Sequence, residues 1–169
     1  MPILCRVTRG DLTESIHVVF AVAVDETGTV FYSTGDPYYL TCIRSSLKPI
    51  QAAAAVKAGA VDSAGFSDAE LAMMCASHSG EDIHVNTVHS MLNKLGLSTA
   101  DLECGSHFPS DKITRHKMIK EGKSAESIHN NCSGKHAGML ALAKHLDQGI
   151  KGYIQKGHPV QKEIFNLVH

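Results

Sequence analysis

The sequence predicts an α+β fold in which strands precede Pro37 and helices follow it. Three observations support this division. The segment Val18–Val24 is a continuous apolar run rich in β-branched residues, and the chain becomes rich in Ala and Leu after Pro37. The later segments carry helix start and stop signals. With 169 residues, 43% of them hydrophobic, the chain has enough apolar material for one core.

The N-terminal strands are predicted as a hairpin. Because Val18–Val24 is apolar at every position, we expect a strand that is buried on both faces. Asp25–Gly28 supplies turn residues, and Thr29–Ser33 is expected to return as the second strand.

The first two predicted helices follow in order. The Ala-rich segment Ser46–Ala58 is expected to form a buried helix that begins near Ser45, since Pro49 is tolerated only in a first turn, and to end at Gly59. Ser67 and Glu70 form a capping box that opens a helix through Met74.

Three further helices are predicted from periodicity and stop signals. The first carries Val88, Met91, Leu92 and Leu95 and ends at Gly96; the second runs from about Gly134 to Leu146 and is closed by Gly149; the third begins at His158-Pro159 and continues to the end of the chain. The last helix has an apolar face and no stop signal. We therefore expect residues 1–169 to form a single domain or the N-terminal portion of a larger one, and the unmatched apolar face favours a homo-oligomer such as a dimer.

Composition excludes several classes of protein. Sixteen Lys and Arg balance 17 Asp and Glu, so there is no basic surface to favour nucleic acid as a partner. The longest apolar run, Val18–Val24, is far shorter than a membrane span, and Met1–Gly10 lacks the apolar region of a signal peptide. The five cysteines are never spaced C-x-x-C, which indicates reduced thiols and a cytoplasmic location.

Ser45 and Lys48 form a Ser-x-x-Lys motif at the start of the Ala-rich helix. Side chains three apart on a helix share a face, and a desolvated lysine amine can accept the proton of a serine hydroxyl. Backbone amides at the helix start would hold an oxyanion. The alternative is that Ser45 only caps the helix and Lys48 is a solvated residue of the first turn.

A second group of polar residues, Cys75–Glu81, joins two predicted helices. Its Ser77, His78 and Ser79 could orient a substrate or exchange protons. The alternative is that Ser79 caps a helix beginning at Gly80 while His78 faces water.

The densest polar segment is His129–His136. Cys132 and His136 are four apart and would face one metal ion from a helix, whereas Lys135 is an unusual ligand because its amine must first lose its proton. The alternative is a helix start capped by Asn131 or Ser133. A further polar loop, Cys104–His107, is expected to line the same cleft.

Taken in order, these segments resemble the type II L-asparaginases of the Rhizobium etli class. The matching stretches are Arg44–Ala52, Cys75–Glu81, Cys104–Pro109 and His129–Met139. The resemblance implies hydrolysis of L-asparagine to L-aspartate and ammonia. It also implies a fold like that of serine β-lactamases and glutaminases, an antiparallel sheet packed with helices, of which this chain would be the N-terminal part of an amidohydrolase domain.

The resemblance also implies roles for individual residues. Ser45 and Lys48 correspond to one Ser-Lys pair and Ser77 to the serine of a second, whose lysine would lie beyond His169. Cys132 and Lys135 correspond to two zinc ligands, and the third protein ligand is absent from this chain. We further assign Arg44, His78 and His136 to substrate binding.

The predicted reaction is amide hydrolysis in which Lys48 deprotonates Ser45, while Ser77 assists proton transfer or is itself the attacking group. The predicted partner is a small molecule, L-asparagine, with neither nucleic acid nor membrane involved. Two alternatives remain: a catalytically inactive binding or structural module of the same fold, and a related serine amidohydrolase such as a glutaminase or a penicillin-recognising enzyme.

Overall fold

The structure is a computed structural model that describes residues 3–168, with the backbone alone described for Ile3. It divides into two compact units, of which the first ends at Ile43 and the second begins at Arg44. Met1, Pro2 and His169, which belong to the N-terminal segment and the terminal helix considered above, lie outside the described residues.

The first unit consists of two antiparallel hairpins. Strands β1 (Ile3–Arg9) and β2 (Leu12–Val19) form one, and β3 (Ala21–Val24) and β4 (Val30–Thr34) form the other. The hairpin predicted around Asp25–Gly28 is therefore confirmed, with Ala21 paired to Thr34 and Val24 to Val30.

The predicted single buried strand over Val18–Val24 is wrong in two respects. The run is divided at Phe20, so its two parts belong to different sheets. Its valines are also largely exposed, including Val18 at 57%, Val22 at 49% and Val24 at 52%. The physical reason is that a continuous apolar run identifies a strand that can be covered on both faces, whereas a two-stranded hairpin supplies no such cover.

The second unit is helical. Its α-helices are α1 (Lys48–Lys57), α2 (Ala60–Ser63), α3 (Asp68–Cys75), α4 (Asp82–Lys94), α5 (Lys112–Lys120), α6 (Ser133–His145) and α7 (Pro159–Val168). Short 3₁₀ turns cover Arg44–Leu47, Thr99–Asp101 and Ser127–His129.

Several predicted helix boundaries are confirmed. The Ser67–Glu70 capping box opens α3, and Gly96 follows α4 with a left-handed φ of 65°. Helix α5 was not predicted from sequence, because most of its residues are polar or charged and Met118 is its only buried residue.

The predicted caps of the polar loops are wrong. Leu47 rather than Ser45 precedes α1, Glu81 rather than Ser79 precedes α4, and Cys132 rather than Asn131 or Ser133 precedes α6. Helix α6 ends at His145, where Asp147 at a φ of 52° makes the left-handed turn in place of Gly149. In each case the residue that precedes the helix makes no side-chain capping hydrogen bond.

The core of the second unit is built around α6, which is buried over nearly all of its circumference from Ser133 to Ala143. Helices α1, α2, α3, α4 and α7 all pack against it. Helix α1, which was predicted to be buried, is only partly buried, since Ala52, Ala54 and Ala55 are buried and Val56 is 46% exposed.

Helix α6 approaches α3 closely because it carries glycine at the crossing. A Cβ on Gly134 would lie 2.5 Å from the carbonyl oxygen of Met73, and one on Gly138 would lie 2.6 Å from Cε of Met74. This crossing brings the residue after α3, Ala76, near the residues before α6.

The described residues therefore form an α+β structure with two small antiparallel sheets and a helical unit. The more specific likeness to serine β-lactamases stays a prediction. Among residues 3–168, each helix is too short or too polar to cross a lipid bilayer.

Candidate functional site

The amine of Lys48 is the buried polar group around which the candidate site is organised. The residue is 2% exposed, although lysine is among the residues most rarely buried. It lies in the first turn of α1, next to Pro49. The interpretation of Lys48 as a solvated first-turn residue is therefore wrong.

Three oxygen atoms surround this amine. Lys48 Nζ donates to the carbonyl oxygen of Ala76 at 2.7 Å, to Ser77 Oγ at 2.8 Å and to the carbonyl oxygen of Asn131 at 3.1 Å. The loop after α3 and the loop before α6 thus meet at one nitrogen. They are joined to each other as well, because the backbone N–H of His78 donates to the same Asn131 oxygen.

The partner that sequence spacing suggested for Lys48 is elsewhere. Ser45 belongs to the exposed 3₁₀ turn Arg44–Leu47, and its side chain has no hydrogen-bond partner among residues 3–168. Ser77, which is 29 positions away in sequence, is the serine in contact with the amine. Ser77 is itself exposed, so its hydroxyl lies between a buried base and open space.

A cavity of about 330 Å³ opens beside Lys48, at the small end of the range of ligand pockets, roughly 300–1,000 Å³. Its lining residues are Arg44, Ser45, Lys48, Gln51, Cys132 and Lys135. Five of these six were singled out as site residues from sequence, and the structure brings them together. None of them is acidic, so the cavity is suited to an anionic group.

Arg44 enters this cavity from a strained backbone position. Its φ of 49° is left-handed, a conformation that is uncommon for residues other than glycine and that concentrates at functional sites. This turn directs the chain into the 3₁₀ segment that carries Ser45.

Cys132 and Lys135 share the cavity and provide a test of the implied zinc site. Burial lowers the pKa of Lys135, and a neutral amine is the form that can bind a metal. The Cys132 thiol donates to Asn131 Oδ1 at 3.4 Å. These two donors fit zinc as a partial ligand set, but among residues 3–168 no three His, Cys, Asp or Glu side chains converge on a metal position.

His78 is buried at 4% exposure, so the interpretation that it faces water is wrong. Its Nδ1 accepts the backbone N–H of Gly80 at 3.2 Å, which places the ring proton on Nε2. Nε2 then donates to Ser133 Oγ at 2.8 Å, and Ser133 in turn donates to the Ile128 carbonyl. With both nitrogens bound inside the protein, His78 fixes the loop that carries Ser77.

His136, which was assigned to substrate binding, is buried and does not line the cavity. The hydroxyl of Tyr153 accepts the backbone N–H of Glu103 at 2.8 Å and is hydrogen-bonded to His136 Nδ1 at 2.7 Å. Burial, with the nearby positive charges of Lys135 and Lys48, lowers the pKa of His136 to about 3. The ring is therefore neutral, with its Nδ1 bound to Tyr153, and a metal shared with Cys132 stays a prediction.

The loop Cys104–His107 does not line the cavity, contrary to expectation. It supports the segment that does: Asn130 Nδ2 donates to the Cys104 carbonyl at 2.7 Å, and His107 Nε2 accepts the backbone N–H of Asn131.

A second cavity of about 230 Å³ lies between α4, α5 and the segment that follows α5. Its polar lining mixes acids and bases, with Lys117 paired to Asp82 and Lys123 paired to Glu121. Because Lys48 lines the first cavity and not this one, the cavity beside Lys48 is the candidate site.

Sequence reasoning missed the backbone carbonyls of Ala76 and Asn131 and the phenol of Tyr153. Carbonyl groups leave no signal in sequence, and Tyr153 is distant from every polar motif. The position of Gln51 was open to prediction, since it lies one helical turn after Lys48.

The chain matches the model of one protein family, described as L-asparaginase II, over residues 5–169. A comparison with curated proteins found no match. The family match spans every residue of the candidate site.

Proposed function

The chain belongs to the L-asparaginase II family, and on that premise we propose that it hydrolyses L-asparagine to L-aspartate and ammonia through a serine that Lys48 activates. The observation that carries the proposal is the contact between the buried Lys48 amine and the exposed Ser77 hydroxyl, 2.8 Å apart beside a cavity with cationic lining. Spacing along the helix favours Ser45 as the nucleophile, but this contact favours Ser77.

The hydrogen bonds around Lys48 support a role as general base. A lysine nitrogen has three positions besides its bond to Cε, and the carbonyls of Ala76 and Asn131 can only accept hydrogen bonds. These two carbonyls hold two N–H groups. The third position faces Ser77 Oγ at 2.8 Å, so the proton-transfer path between the two groups is aligned before substrate arrives.

The proposed reaction has two halves. Ser77 Oγ attacks the side-chain carboxamide carbon of L-asparagine while Lys48 takes the hydroxyl proton. Lys48 then returns this proton to the leaving nitrogen, which releases ammonia and leaves an aspartyl ester on Ser77. Water attacks the ester with Lys48 again as the base, and Lys48 then gives the proton to Ser77 Oγ as the ester C–O bond breaks and L-aspartate is released.

Two other groups complete the proposed mechanism. The backbone N–H of Ser77 has no partner in the described part of the chain and is available to the oxyanion; one such donor is worth about 10²- to 10³-fold in rate. Arg44 would bind the α-carboxylate of the substrate from the cavity wall. Cys132 and Lys135 would hold a zinc ion, which when bound would supply positive charge for substrate orientation.

Three substitutions test this assignment by measuring ammonia release from L-asparagine. We expect S77A and K48M each to lower kcat by at least about 10³-fold, because each removes one end of the proton-transfer path. S45A is expected to cost no more than about tenfold. S79A is the matched control, since Ser79 lies in the same loop and bonds only to Glu81 through its hydroxyl.

The opposite ranking would assign the nucleophile to Ser45. Parallel assays with L-glutamine and a chromogenic β-lactam separate the asparaginase from related serine amidohydrolases. If the wild-type protein acts on none of the three compounds, the inactive binding module is the better description.

A further inference from the structure

Gln51 is a polar residue of the cavity to which the proposed mechanism assigns no role. It lies three residues after Lys48 on α1, so the two side chains share a helix face and line the same cavity. The residue is half-buried, and its carboxamide has no hydrogen-bond partner among residues 3–168. Its oxygen and its NH₂ group are both free to bind a ligand.

The other lining residues cannot favour a carboxamide over a carboxylate. Arg44, Lys48 and Lys135 are cationic when protonated, and a cationic cavity attracts the doubly acidic product, L-aspartate, more strongly than the amide substrate. A group that prefers the amide must both accept and donate hydrogen bonds at once. Among the lining residues, Gln51 is the only side chain with an amide that does so in one plane.

We propose that Gln51 is a specificity-determining residue that binds the side-chain carboxamide of the substrate through a reciprocal pair of hydrogen bonds. Its Oε1 accepts from the substrate NH₂ and its Nε2 donates to the substrate carbonyl. This inference rests on the proposed asparaginase function, whose reacting group it identifies. The carboxylate of the product has no N–H to donate to Gln51 Oε1, so one of the two hydrogen bonds is lost. A carboxylate oxygen, which can only accept, then faces Oε1, which can also only accept.

The loss of this pairing after the reaction would also favour release of the product. Once ammonia has departed and the ester is hydrolysed, the group that faces Gln51 is an acceptor only. The unpaired, half-buried Oε1 then disfavours the product complex.

The test is equilibrium binding by titration calorimetry, with Q51M as the variant. Methionine has nearly the same length and helix propensity as glutamine but lacks both polar groups. Titrations of L-asparagine and L-aspartate are made into the S77A background, so that substrate is not consumed. Q155M is the matched control, because Gln155 is exposed and lies outside this cavity.

We expect Q51M to weaken L-asparagine binding by about tenfold, the loss of two hydrogen bonds of ordinary strength, and to change L-aspartate binding by less than about twofold. Q155M should change neither. Equal effects of Q51M on both ligands, or no effect on L-asparagine, would overturn the inference.

The design separates the failure of this inference from that of the proposed function. If the wild-type protein releases no ammonia but shows Gln51-dependent preference for L-asparagine, the hydrolase proposal fails and the role of Gln51 stands. Ammonia release with an unchanged preference in Q51M overturns the role of Gln51 alone. If L-asparagine does not bind at all, both are refuted.

Discussion

Replacing Gly134 by alanine should separate α6 from α3 and damage the candidate site from a distance. The added carbon would lie 2.5 Å from the carbonyl oxygen of Met73 and 3.0 Å from its carbonyl carbon. Ordinary contact begins at about 3.4 Å, so the two helices must move apart by about 1 Å, because backbone atoms cannot rotate away.

The magnitude follows from two opposing effects. Overpacking a well-packed core costs about 1–3 kcal/mol or more, and a clash with backbone belongs at the upper end of that range. Alanine regains about 1 kcal/mol through its higher helix propensity. We therefore expect G134A to lower the free energy of unfolding by about 2 kcal/mol in urea titrations followed by circular dichroism.

The same displacement should also lower the rate of the reaction. Ala76 follows α3 and Asn131 precedes α6, and their carbonyls hold the Lys48 amine from the two sides of this crossing. A misplacement of about 1 Å at reacting groups costs about 10²-fold in rate. Ammonia release from L-asparagine by G134A should therefore fall by about that factor while the variant remains folded.

Two matched variants make the prediction refutable. In G138A the three atoms nearest to the added carbon all belong to the adaptable side chain of Met74, so the loss of stability should be clearly smaller than in G134A. In G157A it would meet nothing within 4 Å. If G134A is as stable as G138A, or if it keeps full activity, the close α3–α6 crossing does not position Lys48.

Further predictions concern buried polar groups. Burial, with the positive charges around it, lowers the pKa of His78 from 6.5 to about 4, so the unfolded chain binds its proton more readily than the folded one between these pH values. The free energy of unfolding should therefore fall as the pH drops from 6.5 to 4, by up to about 3 kcal/mol from this residue. Urea titrations at several pH values should show that the free energy of unfolding of H78N depends less steeply on pH than that of the wild type. An equal pH dependence would contradict the assignment. The neighbouring groups whose charge would oppose protonation of His78 are His84, Lys48, His107 and His129. Y153F should lower the free energy of unfolding by about 1–3 kcal/mol, because it leaves the Glu103 N–H and His136 Nδ1 without their shared partner, and thermal melts equal to wild type would refute this.

The sequence alone determined the helices with strong local signals. The Ser67–Glu70 capping box and the Gly96 stop act within one turn of the backbone, so they need no tertiary contact to be recognised. The same holds for the β3–β4 turn at Asp25–Gly28, whose Asp25 carboxylate accepts the backbone N–H groups of Thr27 and Thr29. The cytoplasmic location and the homo-oligomer stay predictions.

The polar motifs also identified the residues of the candidate cavity, because Arg44, Ser45, Lys48, Cys132 and Lys135 are chemically conspicuous. The hydrogen-bond partner of Lys48 was not predicted correctly from the sequence. Spacing along the helix paired Lys48 with Ser45, whereas the packed chain pairs it with Ser77 through a contact across 29 positions.

The tertiary structure alone decided that pairing, and the reason is the glycine crossing of α6 with α3. The crossing brings two loop carbonyls to the buried Lys48 amine, and a donor with several N–H groups can satisfy both at once. Local sequence specifies which side chains are able to react. The packing of helices distant in sequence specifies which atoms they meet, because burial and hydrogen-bond satisfaction are properties of the assembled core.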